Sequence, residues 1–318
     1  MQTNQNNIDV TVVIPAYNSE KVIARALDSV FAQTVQPQKI IVIDDGSTDN
    51  TGDVVRKYSN ILYVVQKNAG PAAARNHGIK LANTEWIAFL DSDDYWYPER
   101  LQCQWEIISK NPKLMWCSGL LAVNKAGKEM ELPIVQSVVK KVKQSGFINV
   151  YDLTMSGYHL HLNNLLINRS VFDKVGVFDE SVTLGEDRDL WWRISLQYPD
   201  IGFCLKKCSE YCIDTPNSAL KLTVDRTPSL SVIVKNYLRY TGSSETIDPR
   251  FVSYLRKLGI SYILREASGK INIEKHLIKE SKGVIKLGPY YSSILLLAKI
   301  LPRRVSYKII ARLEPRVG

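Results

Sequence analysis

With 318 residues, 45% of them hydrophobic, the chain can bury a sizeable core in one large or two smaller domains, which sets it apart from disordered or low-complexity proteins. The net charge of +9 is unevenly placed: from Arg226 to the end there are 18 Lys and Arg against 6 Asp and Glu, so the basic excess sits in the C-terminal third. No run reaches the roughly 18 apolar residues of a spanning helix, and the polar, Gln- and Asn-rich start, Met1 to Asn7, does not read as a signal peptide.

Val10 to Ile14 is a continuous β-branched run and predicts a buried strand, broken by Pro15-Ala16-Tyr17-Asn18-Ser19. Val22, Ile23, Ala26, Leu27, Val30 and Phe31 then mark one helical face, with Ser19 placed to cap it. Ile40 to Ile43 is the second strand. It ends in Asp44-Asp45-Gly46-Ser47-Thr48-Asp49, and a short helix carrying Val54, Val55 and Tyr58 follows. Ile61 to Val65 is the third strand. Asn68-Ala69-Gly70-Pro71 turns into an Ala-rich helix, with Pro71 suited to its first turn. Trp86 to Leu90 is the fourth strand, and Pro98 opens an amphipathic helix over 98–109.

Farther on, Leu114 to Cys117 and Leu120 to Val123 read as strands, with Asn124 to Gly127 as a hairpin turn. Ser137 to Gly146 reads as a basic irregular loop, and His159 to Leu162 alternates like a strand. Ser170 to Val175 predicts a short helix, and another begins at Gly185-Glu186-Asp187. The Thr-, Pro-, Ser- and Asn-rich stretch from Thr215 to Ser229 suggests a domain boundary. Helical patterns follow over 230–240, 249–266 and 273–280, then the apolar 290–301 and a basic amphipathic end to Leu313.

Alternation of apolar strands with helices indicates an α/β fold, a mostly parallel sheet with helices on both faces. The residues that follow strands one, two and four then lie at one sheet edge, where such folds bind ligands. Tyr17, Asp45, Asp91 and Asp93 can meet there although they are distant in sequence. Two carboxylates separated by one residue, Asp91-Ser92-Asp93, can hold a divalent cation that takes substrate phosphates as further ligands. A solvated acidic turn ahead of a helix is the simpler alternative.

Five cysteines, 103, 117, 204, 208 and 212, are an odd count at low density, which suggests a reducing, cytosolic compartment. The spacing of Cys204, Cys208 and Cys212 matches no common zinc or iron–sulfur pattern.

Val12-Val-Ile-Pro-Ala-Tyr17-Asn18, Asp44-Asp-Gly-Ser-Thr-Asp49, Asn68-Ala-Gly-Pro-Ala-Ala-Ala-Arg75-Asn76, Phe89-Leu-Asp-Ser-Asp93-Asp94 and Gly185-Glu186-Asp187 occur in that order. Together they resemble the family 2 glycosyltransferases, inverting enzymes with the Rossmann-like GT-A fold, over about residues 8 to 215. The resemblance fits a transferase domain over 1–220, while the smaller basic helical region over 221–318, read from its charge and helical pattern, lies outside the resemblance. It places Pro15, Ala16 and Tyr17 along the nucleotide base and Asp45 on uracil. Arg75 approaches the nucleotide or forms a helix-surface salt bridge. Asp91 and Ser92 stand at the ribose or a metal-bound water, and Asp93 binds a divalent cation, Mn or Mg. Asp94 is third in line, or only a helix-start acid. Asp187 is the implied base that takes the acceptor hydroxyl's proton, and Glu186 contacts acceptor or metal. Processive synthases of this family carry a Gln-x-x-Arg-Trp motif and spanning helices. Neither occurs here, which implies addition of one or few sugars.

The implied partners are a nucleotide-sugar donor, most simply a UDP-sugar, and a glycan or lipid-linked acceptor in surface-polysaccharide assembly. The basic C-terminal third suits peripheral contact with an anionic membrane on the cytosolic face, or simply a packed helical cap with a solvated basic face. No base-reading motif points to nucleic acid. Two alternatives share these carboxylates. A sugar-phosphate nucleotidyltransferase usually has a Gly-rich basic loop after strand one, which Pro15-Ala-Tyr-Asn18 is not. A non-catalytic nucleotide- or glycan-binding protein would have no need of Asp93 and Asp187.

Overall fold

The computed structural model describes residues 7–125, 127–213, 232–236 and 248–267. Two compact units divide the chain, the first made of Met1–Ser181 and Leu190–Ser218, the second of Val182–Asp189 and Ala219–Gly318.

The first unit begins as the hydrophobic pattern predicts, with β1 (Asn7–Ala16), α1 (Ile23–Phe31), β2 (Gln36–Asp44), α2 (Thr51–Val55), β3 (Ile61–Val65), α3 (Pro71–Leu81) and β4 (Trp86–Phe89). A two-residue strand β5 (Tyr95–Trp96) precedes α4 (Arg100–Lys110), followed by β6 (Trp116–Lys125), β7 (Lys128–Glu131), α5 (Gln136–Ser145), β8 (Phe147–Asn149) and α6 (Val150–Met155). After a 3-10 turn at Leu162–Asn164 come β9 (Leu166–Asn168), α7 (Ser170–Val175), α8 (Glu186–Gln197) and β10 (Asp200–Cys212). The first turn of α8 falls in the second unit.

All the strands join one sheet in the order β3-β2-β1-β4-β9-β6-β10-β5, with β7 on β6 and β8 on β10. Strands β3, β2, β1 and β4 are parallel, and β9 is antiparallel to both its neighbours. Register aligns Ala16 with Asp44 and Val13 with Phe89. The loops after β1, β2 and β4 therefore leave from one edge.

Side-chain alternation gives the parallel strands two buried faces. Val10, Val12, Ile14, Ile40, Val42 and Ala88 pack with Ile23, Ala26, Leu27 and Val30 of α1 and with Leu101 and Ile108 of α4. On the opposite face Ile41 and Ile43 pack with Ala74 of α3. Each such fully buried aliphatic side chain contributes about 1.5–3 kcal/mol. α3 lies close enough to β1 that a Cβ on Gly78 would meet Val13 Cγ1 at 2.3 Å.

Several local expectations change. Ser19 receives the Val22 and Ile23 N–H groups on its backbone carbonyl rather than its hydroxyl. The two strands expected over 114–123 are one, β6, and its hairpin with β7 is tighter than the expected Asn124–Gly127 turn, since Asn124 and Lys125 still pair with Glu129 and Lys128. The stretch 137–146, read as a loop, is α5: Val138 and Val142, one helical turn apart, are buried, and Gly146 ends the helix at φ 78. His159 to Leu162 is not a strand but leads into the 3-10 turn. Against the reducing compartment that the cysteine count suggests, Cys103 and Cys204 are bonded, because α4 and β10 bring their Cα atoms to 6.1 Å. Cys117, Cys208 and Cys212 are free and buried.

In the second unit, residues 232–236 are helical and a helix spans Pro249–Ala267. Asp248 opens the latter, accepting from the Arg250 N–H at 2.9 Å and pairing with its guanidinium at 2.6 Å, which holds the carboxyl below its usual range. Asn236, buried, donates to Asp189 Oδ1 at 3.0 Å. The boundary over 215–229 and the helical patterns beyond 267 lie outside the described residues. Among those described, no helix is long and apolar enough to cross a membrane.

Candidate active site at the sheet edge

The loop after β1 is laced to the loop after β2. The Asp45 N–H donates to the Ala16 carbonyl at 2.8 Å. Asn18, in the left-handed region at φ 48, donates its N–H to Ser47 Oγ at 2.9 Å and accepts from the Thr48 N–H at 2.8 Å. The Ser19 N–H reaches Thr51 Oγ1 at 2.7 Å. Pro15 and Ala16 are buried at the strand end, whereas Tyr17 is 50% exposed.

The paired acids after β2 diverge. Asp44 accepts from the Ser47 N–H at 2.8 Å and from the Tyr63 hydroxyl at 2.5 Å. Burial and this bond push the Tyr63 phenol up to about 12. Asp45 turns the other way. It accepts from Gln66 Nε2 at 2.8 Å, the Ala69 N–H at 2.9 Å and the Gly70 N–H at 2.7 Å. An ionised carboxylate offers about four acceptor positions, so these bonds leave room for one more donor. Gly46 at φ 77 makes the turn, and a Cβ there would press on the Asn68 backbone at 3.1 Å.

Asp45 thus pins the segment that starts α3. Pro71 sits at the first position of that helix, and one turn later comes Arg75, buried. The Arg75 guanidinium lies 5.5 Å from the Phe178 ring centroid and donates to Asp91 Oδ1 at 2.7 Å. Of the two roles open to Arg75, the structure forms an ion pair, but it is a buried one within the site and not a surface pair.

After β4 the chain makes a tight turn, the Asp94 N–H donating to the Asp91 carbonyl at 3.1 Å. Ser92 Oγ meets Ser19 Oγ at 2.8 Å. Arg25 donates to the Asp93 carbonyl oxygen. The Asp91 N–H reaches Asn163 Oδ1 at 2.9 Å. Asp94 is no exposed helix-start acid. It is fully buried, and burial pushes its carboxyl well above the usual range, with the charges of Asp93 and Asp91 acting in the same direction.

Pro15, Ala16, Tyr17, Asp45, Arg75, Asp91, Ser92 and Asp93 thus gather along one edge of the first unit. Glu186 and Asp187 stand in the second unit, in the first turn of α8 after Gly185, which adopts φ 96. The Asp187 carboxylate accepts from the Arg188 N–H at 2.7 Å, and Glu186 from the Gly185 N–H at 3.1 Å. Sequence reasoning missed Arg25, Gln66 and Asn163. Each acts through long-range hydrogen bonds that no periodicity or spacing reveals.

Asp91 and Asp93, both half-buried, present hard oxygen donors on one turn, and among the described residues no cluster of three or more His, Cys, Asp or Glu forms a metal cage. This donor set fits a divalent cation that draws its other ligands from a diphosphate and water, and does not fit one held by protein alone.

A mostly parallel α/β sheet with aspartates gathered at the carboxyl ends of its first strands is the GT-A architecture of glycosyltransferases. The model for glycosyl transferase family 2 matches residues 11–176, and the chain belongs to that family. It is 32% identical over 226 residues to an uncharacterised glycosyltransferase of Rickettsia typhi, covering 69% of this chain and 70% of that one. It is also 32% identical over 198 residues to the succinoglycan biosynthesis protein ExoU of Rhizobium meliloti, 58% of this chain and 56% of that protein. Among solved structures, S. aureus TarS 1-349 in complex with UDP-GlcNAc superposes with a TM-score of 0.63 at 19% identity, over 92% of this chain and 88% of that one. Against a longer TarS structure the chain spans 53% of the length.

Proposed function

We propose that this glycosyltransferase moves a sugar, with inversion, from a UDP-sugar to a hydroxyl of a glycan or lipid-linked acceptor in surface-polysaccharide assembly. The observation that carries the reading is the meeting of Asp45, Arg75, Asp91 and Asp93 at the edge from which the β1, β2 and β4 loops leave. The UDP-GlcNAc complex of TarS supports the donor class, and ExoU, named for succinoglycan biosynthesis, supports the polysaccharide role.

In this reading Tyr17 lies on the base, with Pro15 and Ala16 shaping the floor, and Asp45 uses its remaining acceptor position for the uracil N–H. Asp91 and Ser92 face the ribose, and Arg75 holds Asp91 in place. Asp93 binds a divalent cation, Mn or Mg, which when bound neutralises charge on the departing diphosphate. Asp187 takes the proton of the acceptor hydroxyl as it attacks opposite the leaving group, and Glu186 orients the acceptor. Residues 1–220 form the transferase domain, and the basic region over 221–318 serves acceptor or membrane contact.

The test is a screen of nucleotide sugars for slow hydrolysis with and without Mn²⁺. Cation-dependent release of UDP, lost in Asp93→Ala, is the expected result. Asp187→Asn should retain UDP binding and lose transfer. Release of inorganic pyrophosphate from an NTP and a sugar phosphate would instead favour a nucleotidyltransferase, and nucleotide binding without turnover a non-catalytic protein.

A further inference from the structure

We propose that Asn163 and Asp94 are positioning residues that lock the Asp91–Asp94 turn in the geometry needed to accept a cation-bound diphosphate, an inference that rests on the donor reading above. Two acids on a four-residue turn have no fixed relation to each other unless the backbone between them is held. Here one carboxamide holds it. Asn163 Oδ1 accepts from the Asp91 N–H at 2.9 Å, and Asn163 Nδ2 donates to Asp94 Oδ2. The other oxygen, Asp94 Oδ1, accepts from the Cys212 N–H at 2.8 Å, which anchors the turn to the end of β10. Both side chains are 0% exposed, so water does not compete for these bonds.

The far end of the bridge is itself fixed. Asn163 lies in the 3-10 turn, where the next residue, Asn164, donates its side chain to the Gly119 carbonyl at 2.9 Å and accepts from Gln104 Nε2 at 2.6 Å. The metal-side turn is therefore bolted to β6, α4 and β10, which carry none of the residues assigned to the base. The base contacts, Tyr17 and Asp45, are held mainly by bonds to the loops after β2 and β3, and they reach the turn only through the Ser19–Ser92 contact and the Arg75–Asp91 pair. Disturbing the Asn163 bridge should therefore weaken cation-dependent nucleotide binding more than cation-independent binding. A chain already holding the acids in place does not reorganise when the charged ligand arrives, the usual source of electrostatic selectivity.

The bridge has a polarity that can be reversed. Asn163→Asp alone replaces the amide N–H that Asp94 Oδ2 accepts with a second carboxyl oxygen. Asp94→Asn alone sets two amide NH₂ groups against each other, and turning either amide over to relieve this gives up the Asp91 or the Cys212 N–H. The double variant Asn163→Asp/Asp94→Asn restores all three bonds, with donor and acceptor exchanged between the two side chains and the net charge unchanged. Titration calorimetry of the full chain with UDP, in Mn²⁺ and in EDTA, reads the outcome, with thermal melts confirming folding. Each single variant should weaken UDP binding in Mn²⁺ by at least about tenfold and binding in EDTA by no more than about threefold, the smaller loss arising because Asp91 and Ser92 of the same turn face the ribose, and the exchange should return affinity to within about threefold of wild type.

Single variants that bind UDP in Mn²⁺ like wild type overturn the proposal. So do single variants that lose affinity equally in both conditions, and an exchanged chain that fails to melt cooperatively or binds no better than the weaker single variant. A wild-type chain whose UDP affinity does not respond to Mn²⁺ overturns the donor reading itself, and this proposal with it, so the two failures are told apart.

Discussion

The guanidinium of Arg75 and the carboxylate of Asp91 meet at 2.7 Å, one on a helix that follows β3 and the other at the end of β4. Only 7% of the arginine side chain is exposed, against 26% of the aspartate. The pair therefore ties the start of α3 to the turn that carries Asp93, and it neutralises one of three neighbouring acids. Arg75→Met should lower stability by about 2 kcal/mol, below the range for a fully buried pair because water still reaches Asp91. Urea denaturation of Arg75→Met, Asp91→Asn and the double variant should show the two losses to be less than additive. Strict additivity would mean that the pair holds nothing.

Arg100 provides the contrast. Its guanidinium is fully buried, 3.7 Å from the Trp96 ring centroid, and donates to the Leu165 carbonyl at 3.0 Å. Nε and Nη1 have no hydrogen-bond partner among the described residues, and burial pushes the group down to about 9. A buried charge this poorly compensated is costly, so Arg100→Met, similar in length and apolar, should change stability by no more than about 1 kcal/mol in either direction. A thermal melt showing a loss of several kcal/mol would count against this account.

Tyr63 makes alkaline stability a report on the β2–β3 contact. Because its phenol titrates near 12 in the folded chain and near 10 unfolded, the native state keeps this proton over that interval while the unfolded state releases it. The stability it contributes is thus fully present below about pH 10 and is lost as pH rises through 12. Tyr63→Phe should be less stable by about 1 kcal/mol at pH 7, having lost the bond to Asp44. Its unfolding free energy should also fall less steeply than wild type between pH 10 and 12. Parallel curves would show that the hydroxyl does not carry the effect.

Gly78 marks the closest approach of α3 to the sheet. Since an added Cβ would lie 2.3 Å from Val13 Cγ1, Gly78→Ala should destabilise by about 1–3 kcal/mol through overpacking, despite alanine's better helix propensity of about 1 kcal/mol. Val13→Ala in the same chain should recover part of the loss. Equal stability of Gly78→Ala and wild type in chemical denaturation would refute the close packing.

How much of this was legible in advance depended on how local the cause was. Strands β1 to β4 and helices α1 and α3 announce themselves, because continuous β-branched runs alternate with Gly, Pro and Asn punctuation. The shared edge followed from that pattern alone, which is why Tyr17, Asp45, Asp91 and Asp93 could be grouped. α5 was hidden because Lys140, Lys141 and Lys143 obscure the spacing of Val138 and Val142. β10 was hidden because register shifts between Cys204 and Ser209 break its two-residue alternation. Asn163 gave no local signal, since its partners lie 69 and 72 residues away. The Cys103–Cys204 bond likewise joins positions 101 residues apart.

That last bond closes a covalent ring around the β6–β7 hairpin, α5, the 3-10 turn that presents Asn163, and the start of β10. A protease that nicks the exposed strand Lys128–Glu131 cuts the backbone but not the molecule. The two pieces stay linked and migrate as one species on a gel without reductant, parting only when a thiol is added.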